Sequence, residues 1–322
     1  MWLNVLLFAV GLVALIKGGD WFVDGASEIA RKFHLPELLI GATVVSIGTT
    51  LPEVMVSAQG AMAGSGGMAY GNAIGSIICN TSLIAALTVT IKPGRADRRS
   101  MLLPVIFFFG AAALYVSVAY FLGEFTRWVG ILLLCGFAVY IALTLWQMKK
   151  NPAEPSEETE VEGKSTPIAK SIVFLVLGAA LIAVGARLLV DNGIAIATVL
   201  GVPDTVIGLT FVALGTSLPE LVTAVTSLIK GHGALSLGNI IGANLFNLVL
   251  VSGVATTISP FPVPTGSQLF GQNASLVLDI PVMLCVMLIL TVPTLIRQKL
   301  SRVQGISLLC IYAAFCTLQF VM

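Results

Sequence analysis

The string Gly-Thr-Thr/Ser-Leu-Pro-Glu occurs twice in this chain, as Gly48–Glu53 and Gly215–Glu220, each time in the middle of a long apolar run. A second shared string follows each copy: Gly71-Asn72-Ala73-Ile74-Gly75 and then Asn80, Gly238-Asn239-Ile240-Ile241-Gly242 and then Asn247. One offset of 167 residues carries Glu53 to Glu220 and Asn80 to Asn247, and also Asp24 to Asp191, Pro36 to Pro203, Gly41 to Gly208 and Thr43 to Thr210. The chain is therefore an internal duplication with no insertion between these landmarks.

Composition sets the solvent in which the two halves fold. Hydrophobic residues make up 57% of the chain and charged ones 10%, and apolar stretches of about 18 residues or more recur from end to end. This excludes a soluble domain and predicts an all-α polytopic membrane protein. Spans are expected at 1–33, 37–61, 69–91, 101–121 and 127–148, then at 168–190, 204–229, 235–257, 276–295 and 303–321. Five spans per half is an odd number, so the second copy enters the membrane from the other side. The expectation is ten transmembrane helices in two inverted-topology repeats of five. The first repeat is 1–148 with its motif region at 41–82, and the second is 168–322 with its motif region at 208–249. Between them, 149–167 carries prolines, five glutamates and no apolar period, which makes it a solvated linker too short for a folded regulatory domain. Met1 to Ile16 lacks a basic leader and a cleavage signature and is expected to stay as the first helix. The paired Gly18-Gly19, and Gly185 in the corresponding place, are expected to bend or interrupt the first and sixth spans.

Charge placement gives orientation. If the linker is cytoplasmic, 15 Lys and Arg fall on its side and two, Arg127 and Arg187, on the other. This positive-inside bias predicts a multi-pass protein of the cell (inner) membrane with a cytoplasmic linker and both termini outside. The formal charge of +1 makes no case for a nucleic-acid partner. The five cysteines lack metal-ligand or disulfide spacing and are expected to be packing residues.

A carboxylate, two hydroxyls and a proline are costly at bilayer depth, and their recurrence needs a reason. Pro52 and Pro219 each remove a backbone donor and free the carbonyl four residues earlier, at Gly48 and Gly215. Thr49, Thr50, Thr216 and Ser217 add hydroxyls, and Glu53 and Glu220 add negative charge. No Lys or Arg lies in the spans that carry the two glutamates. These are hard oxygen ligands, suited to Na⁺ and Ca²⁺, whereas Zn²⁺ and Cu⁺ call for His or Cys. Asn80 and Asn247 would complete the cage opposite each glutamate. Asn72 and Asn239 are divided evenly between ligands and interhelical hydrogen bonds, and Gly71, Gly75, Gly238 and Gly242 have the spacing of close helix packing. Asp24 and Asp191 are expected to face water or cap helices. A capping box is the bland alternative for each Thr-x-x-Glu string, but two copies at one spacing inside apolar runs disfavour it.

These strings resemble the two alpha-repeats of the sodium/calcium exchanger family, the prokaryotic branch of the cation/calcium exchanger superfamily. The resemblance covers the whole chain in architecture and is most specific in the four motif segments. It implies that Glu53 and Glu220 are the central acidic ligands shared by Ca²⁺ and Na⁺. Thr49 and Thr216 would supply hydroxyl and carbonyl oxygens, Thr50 and Ser217 hydroxyls on the cytoplasmic side, and Ser46 and Ala213 backbone carbonyls. Ser76 and Asn80 match ligands on the third span, and Asn247 a ligand on the eighth. Two departures stand out: Ala243 occupies a position where family members carry a serine, and Asn247 one where an aspartate occurs. The first leaves Na⁺ stoichiometry open, and the second leans towards potassium independence. The implied activity is Ca²⁺ extrusion driven by Na⁺, by a monomer with no prosthetic group. Alternatives are a proton/calcium antiporter on the same fold, with H⁺ as coupling ion, a passive cation channel, or an intramembrane enzyme using the two glutamates as a dyad.

Overall fold

A chain that crosses hydrocarbon must pair every backbone N–H internally, and these apolar runs do so as helices. The computed structural model describes residues 2–150, 167–200, 215–265 and 268–321. In chain order the helices are α1 (Trp2–Lys32), α2 (Glu37–Met62), α3 (Gly66–Ile91), α4 (Arg98–Leu122), α5 (Arg127–Lys150), α6 (Ile168–Val199), α7 (Leu218–Ile229), α8 (Gly233–Ile258), α9 (Ser275–Arg297) and α10 (Arg302–Val321). Among the described residues, eight helices are long and apolar enough to cross a membrane, namely α1 to α6, α8 and α9. The first part of the expected seventh span, with Ala213, lies outside the described residues.

The paired glycines do not interrupt α1, which runs unbroken for 31 residues, and Gly185 does not interrupt α6. Their purpose is contact. A Cβ on Gly18 would fall 2.8 Å from the Ile182 nitrogen and 2.9 Å from the Gly178 carbonyl oxygen, and one on Gly11 would fall 2.9 Å from the Gly185 carbonyl oxygen. Gly25 meets Ser171 and Leu175 in the same way. Glycines at seven-residue intervals thus let α1 and α6 pack backbone to backbone, which a helix tolerates where closeness outweighs glycine's entropic cost. Gly11 and Gly18 map onto Gly178 and Gly185 by the same 167-residue offset, so the seam is itself duplicated.

Burial separates this pair from the centre. Only 22% of the apolar window of α1, and of α6, is buried, against 72% for α3 and 89% for α8. Helices α2, α3, α7 and α8 carry the doubled strings and form the inside. Gly238 and Gly242 bring α8 onto the backbone of α2, where any Cβ would strike the Leu38 carbonyl or the Ser46 hydroxyl. The equivalent packing of Gly71 and Gly75 would involve residues 205 and 209, outside the described residues. Aromatic side chains close one end: Tyr70, Tyr115, Phe125 and Phe261 stack in a row, and the short strands Glu124–Phe125 and Phe261–Pro262 pair antiparallel above them. Tyr140 on α5 donates to the Ala42 carbonyl at 2.8 Å and fixes α5 to α2. Asp97 caps α4 by accepting the Ser100 amide at 2.9 Å. Burial would raise its pKa, but bonds from Ser100 and Arg99 prevail and hold it below the usual carboxylate value. Asp24 pairs with Lys230 at 2.7 Å and Asp191 with Arg187 at 3.5 Å, so neither aspartate points to the motif core. The five cysteines are unpaired.

Candidate functional site

The first hexapeptide lies within α2, with Pro52 in the helix interior. A proline there has no N–H to give, so the Gly48 carbonyl loses its intrahelical donor. The second hexapeptide is built differently. Thr216 and Ser217 form a turn, Ser217 stands at the N-cap of α7, and Pro219 occupies its first turn. At a helix start the missing N–H costs nothing. The expectation of a proline within a continuing helix thus holds for Pro52 and is corrected for Pro219.

Burial brings the expected residues into one dry cluster. Glu53, Glu220, Thr50, Asn80 and Asn247 are fully buried, and Thr49, Ser217 and Ser76 are nearly so. The two carboxylates are electrostatic neighbours, and the Thr49 and Thr50 side chains stand beside Glu220. Ser217 lies next to the Cys79 thiol, one residue before Asn80, which sets the second hexapeptide against α3. Among the described residues, both carboxylate oxygens of Glu53 and of Glu220, the hydroxyls of Thr50 and Ser217, and the side-chain amides of Asn80 and Asn247 have no hydrogen-bond partner. Native interiors leave few such groups, and here they include both carboxylates of the doubled hexapeptide, alongside others such as the Tyr115, Ser171 and Thr256 hydroxyls. Among the described residues neither glutamate has a cationic partner, since the five ion pairs all lie elsewhere. Groups of three or more His, Cys, Asp or Glu are also absent there. The donor set is therefore two carboxylates plus neutral oxygens, as hard cations require.

The structure adds two features, of which the sequence foreshadowed only the second. Asn80 and Asn247 each open a π-helical turn, Asn80–Ala85 in α3 and Asn247–Val251 in α8, again 167 residues apart. Such turns concentrate at functional sites. The other feature is a crosswise tie between the repeats. Asn239 accepts from Thr49 at 3.2 Å and from Ser46 at 3.3 Å, while Asn72 accepts from Thr216 at 3.5 Å. Each asparagine thereby meets a threonine hydroxyl of the opposite copy. Asn72 is further held by donating to Ser57 at 2.8 Å and to the Glu53 carbonyl at 3.2 Å. These two residues act as interhelical ties, one of the two roles their sequence left open. Ala243, fully buried on α8, supplies no side-chain oxygen where Ser76 does on α3.

The α1/α6 pair reaches the same place from outside. Phe22 of α1 and Ala179, Ile182 and Ala183 of α6 share a narrow crevice with Gly48, Thr49, Pro52 and Pro219. Both prolines thus face one boundary between the helix pair and the motif core.

Known proteins resemble this chain along most of its length. The sodium/calcium exchanger protein family model matches residues 3–146 and 170–321. The sodium/calcium exchanger MaX1 of Methanosarcina acetivorans is 33% identical over 98% of each chain, and the inner membrane protein YrbG of Escherichia coli is 37% identical over 81% of each. A solved structure of the sodium-calcium exchanger NCX_Mj, soaked with Na⁺ and Sr²⁺, superposes with a TM-score of 0.80 at 34% identity over 97% of each chain.

Proposed function

The chain belongs to the sodium/calcium exchanger family, a family of multi-pass membrane exchangers, and from that premise we propose that it exchanges Na⁺ for Ca²⁺ by alternating access around one midplane site. The observation that carries this reading is the set of buried, unpartnered oxygens on Glu53, Glu220, Thr50, Ser217, Asn80 and Asn247. Two ionised carboxylates buried without a counter-ion cost several kcal/mol each, and one Ca²⁺ offsets both charges. Ser46, Thr49, Ser76, Ala213 and Thr216 complete the ligand set through hydroxyls or carbonyls. Na⁺ ions bind the same glutamates in overlapping positions. Overlap forbids joint occupancy, so loading one ion expels the other and transport becomes exchange.

The two repeats, 1–148 and 168–322, form ten spans of inverted topology, with α10 as the last span. Their linker, 149–167, is cytoplasmic, and both termini lie outside the inner membrane. The α1/α6 pair slides as one body along the crevice and opens the site to one side at a time. The glycine seam supports this reading, because it packs α1 and α6 backbone to backbone along their length. Several Na⁺ moving against one Ca²⁺ carry net charge, so the rate responds to membrane potential.

Uptake of radioactive Ca²⁺ into proteoliposomes preloaded with Na⁺ tests the reading, with K⁺-loaded and pH-jumped vesicles as controls. Uptake should need internal Na⁺ and vanish in Glu53→Gln. A pH gradient that drives uptake without Na⁺ would convert the assignment to a proton/calcium antiporter, the reading that Ala243 favours by withholding one Na⁺ ligand.

A further inference from the structure

A cavity of about 230 Å³ opens among the C-terminal ends of α3 and α7 and the N-terminal end of α8. Its wall is mostly apolar, with Val89, Leu228, Leu237, Ile240 and Leu300 joined by Thr88 and Ser236, and the exposed Lys92 and Arg95 stand at its rim. Two basic loops meet there. Arg95 and Lys299 form a backbone bridge, the Leu300 amide donates to the Gly94 carbonyl at 2.9 Å, and the Ala96 amide donates to the Gln298 carbonyl at 3.2 Å. The bonds hold Lys92, Arg95, Arg98 and Arg99 against Arg297, Lys299 and Arg302, with Asp97 as the sole carboxylate in either loop. Asp97 is engaged in capping α4. Among the described residues, Lys92, Arg95, Arg297, Lys299 and Arg302 make no ion pair. Backbone bonds thus hold together a concentration of positive charge that no ion pair among the described residues neutralises.

We propose that this cavity binds an anionic phospholipid, with its phosphate on Lys92 and Arg95 and part of one acyl chain along Val89, Leu228, Leu237 and Ile240. Charge complementarity selects the headgroup, since clusters of four to eight Lys or Arg beside a membrane helix attract anionic lipid. A zwitterionic headgroup would bring an ammonium against the same cations. A free phosphate would satisfy the rim but gain nothing from the apolar wall, whereas a lipid gains from every buried methylene. The occupant would brace the end of α7, whose first turn carries Glu220, against the end of α3, which carries Asn80. The proposal does not depend on which cation drives exchange.

The test is native mass spectrometry on the delipidated full-length protein in neutral detergent, titrated with short-chain phosphatidylglycerol, short-chain phosphatidylcholine or inorganic phosphate. Phosphatidylglycerol should be retained in preference to phosphatidylcholine, and excess inorganic phosphate should displace it poorly. The double variant Lys92→Gln/Arg95→Gln should weaken retention roughly 25-fold, about fivefold per cation. Arg187→Gln, which removes an exposed cation on α6 away from the cavity, should leave retention unchanged. Ala234→Phe, which narrows the apolar wall, should weaken the lipid while sparing the thermal midpoint of the lipid-free protein. Equal retention of phosphatidylcholine, or full retention by the double variant, would overturn the proposal. Displacement by inorganic phosphate at matched concentration would overturn the lipid as the source of the anion.

Discussion

Pro52 lies inside α2, whereas Pro219, its partner by the 167-residue offset, opens α7. The hexapeptides around them differ by one hydroxyl residue, Thr50 against Ser217, yet one copy continues a helix and the other begins one. Local sequence therefore does not decide the backbone here. The first copy bears a proline that costs about 3 kcal/mol in an ordinary helix interior, and the close approach of α8 at Gly238 and Gly242 helps hold it in place. The second copy has Glu220 in the first turn of α7, where the helix dipole favours negative charge. Glu53 sits mid-helix without that help. The two carboxylates are equivalent in sequence and inequivalent in surroundings.

The largest expected effect tests whether that inequivalence reaches function. Glu53→Gln and Glu220→Gln should each lower Na⁺-driven Ca²⁺ uptake by at least about 100-fold, because one remaining carboxylate cannot neutralise a divalent ion in a dry site. Each variant should also raise the thermal midpoint in ion-free buffer by removing a buried charge. If one variant kept more than a tenth of the wild-type rate, that copy would be auxiliary and the pairing of the two glutamates broken.

Next in size comes the proline comparison. Pro52→Ala returns a donor to the Gly48 carbonyl, so it should raise thermal stability, by at most about 3 kcal/mol, and slow exchange roughly tenfold through loss of that carbonyl. Pro219→Ala at a helix start should change both by less than about twofold. Equal effects in the two variants would mean that α7 has no true start at Leu218.

Much of the architecture is legible in the sequence because the membrane leaves few options. An apolar run bounded by Gly, Pro and charge can only be a helix, so α2, α3, α5 and α8 lie within a few residues of their expected limits. Glu53 and Glu220 are legible as a site for the same reason, since a carboxylate in such a run needs an ion. What the sequence hides are contacts between residues far apart in the chain. Gly18 and Gly185 look like breaks until the opposite helix is seen resting on them. Asn72 and Asn239 are ambiguous because their partners, Thr216 and Thr49, lie in the other repeat. The π turns at Asn80 and Asn247 have no mark in residue type beyond the asparagines themselves.

A smaller effect should come from restoring symmetry. Ala243 faces the core from α8 where its counterpart Ser76 carries a hydroxyl on α3. Ala243→Ser adds one neutral oxygen beside the glutamates at little cost in volume. It should lower the Na⁺ concentration for half-maximal exchange by about threefold, the scale of one modest polar contact, and leave that for Ca²⁺ within twofold. Measurement of both concentration dependences in proteoliposomes decides it. An unchanged Na⁺ dependence would mean that the hydroxyl at this position does not face the ion.

The smallest effect concerns the turns that precede α3 and α8. Ser65 and His232 occupy equivalent N-cap positions with similar backbone angles, φ −94° and −85°, and neither makes a side-chain cap. His232 instead meets Glu37 at the start of α2, with Nδ1 2.7 Å from the carboxylate oxygen. Its hydrogen bond to Glu37 raises its pKa above the ordinary value; burial and Lys230 oppose that shift, and the charges of Glu37 and Asp24 reinforce it. A raised folded value means the protonated ring is favoured by folding. The contact therefore contributes fully below about pH 6.5 and is lost as pH rises through the folded value. Because the pair is about one-third exposed, the contribution is small. His232→Ser, which copies the first repeat, should lower the thermal midpoint at pH 6 by on the order of 1 °C and change it less at pH 8. Equal losses at the two pH values would assign His232 a packing role and make the two turns alike in kind.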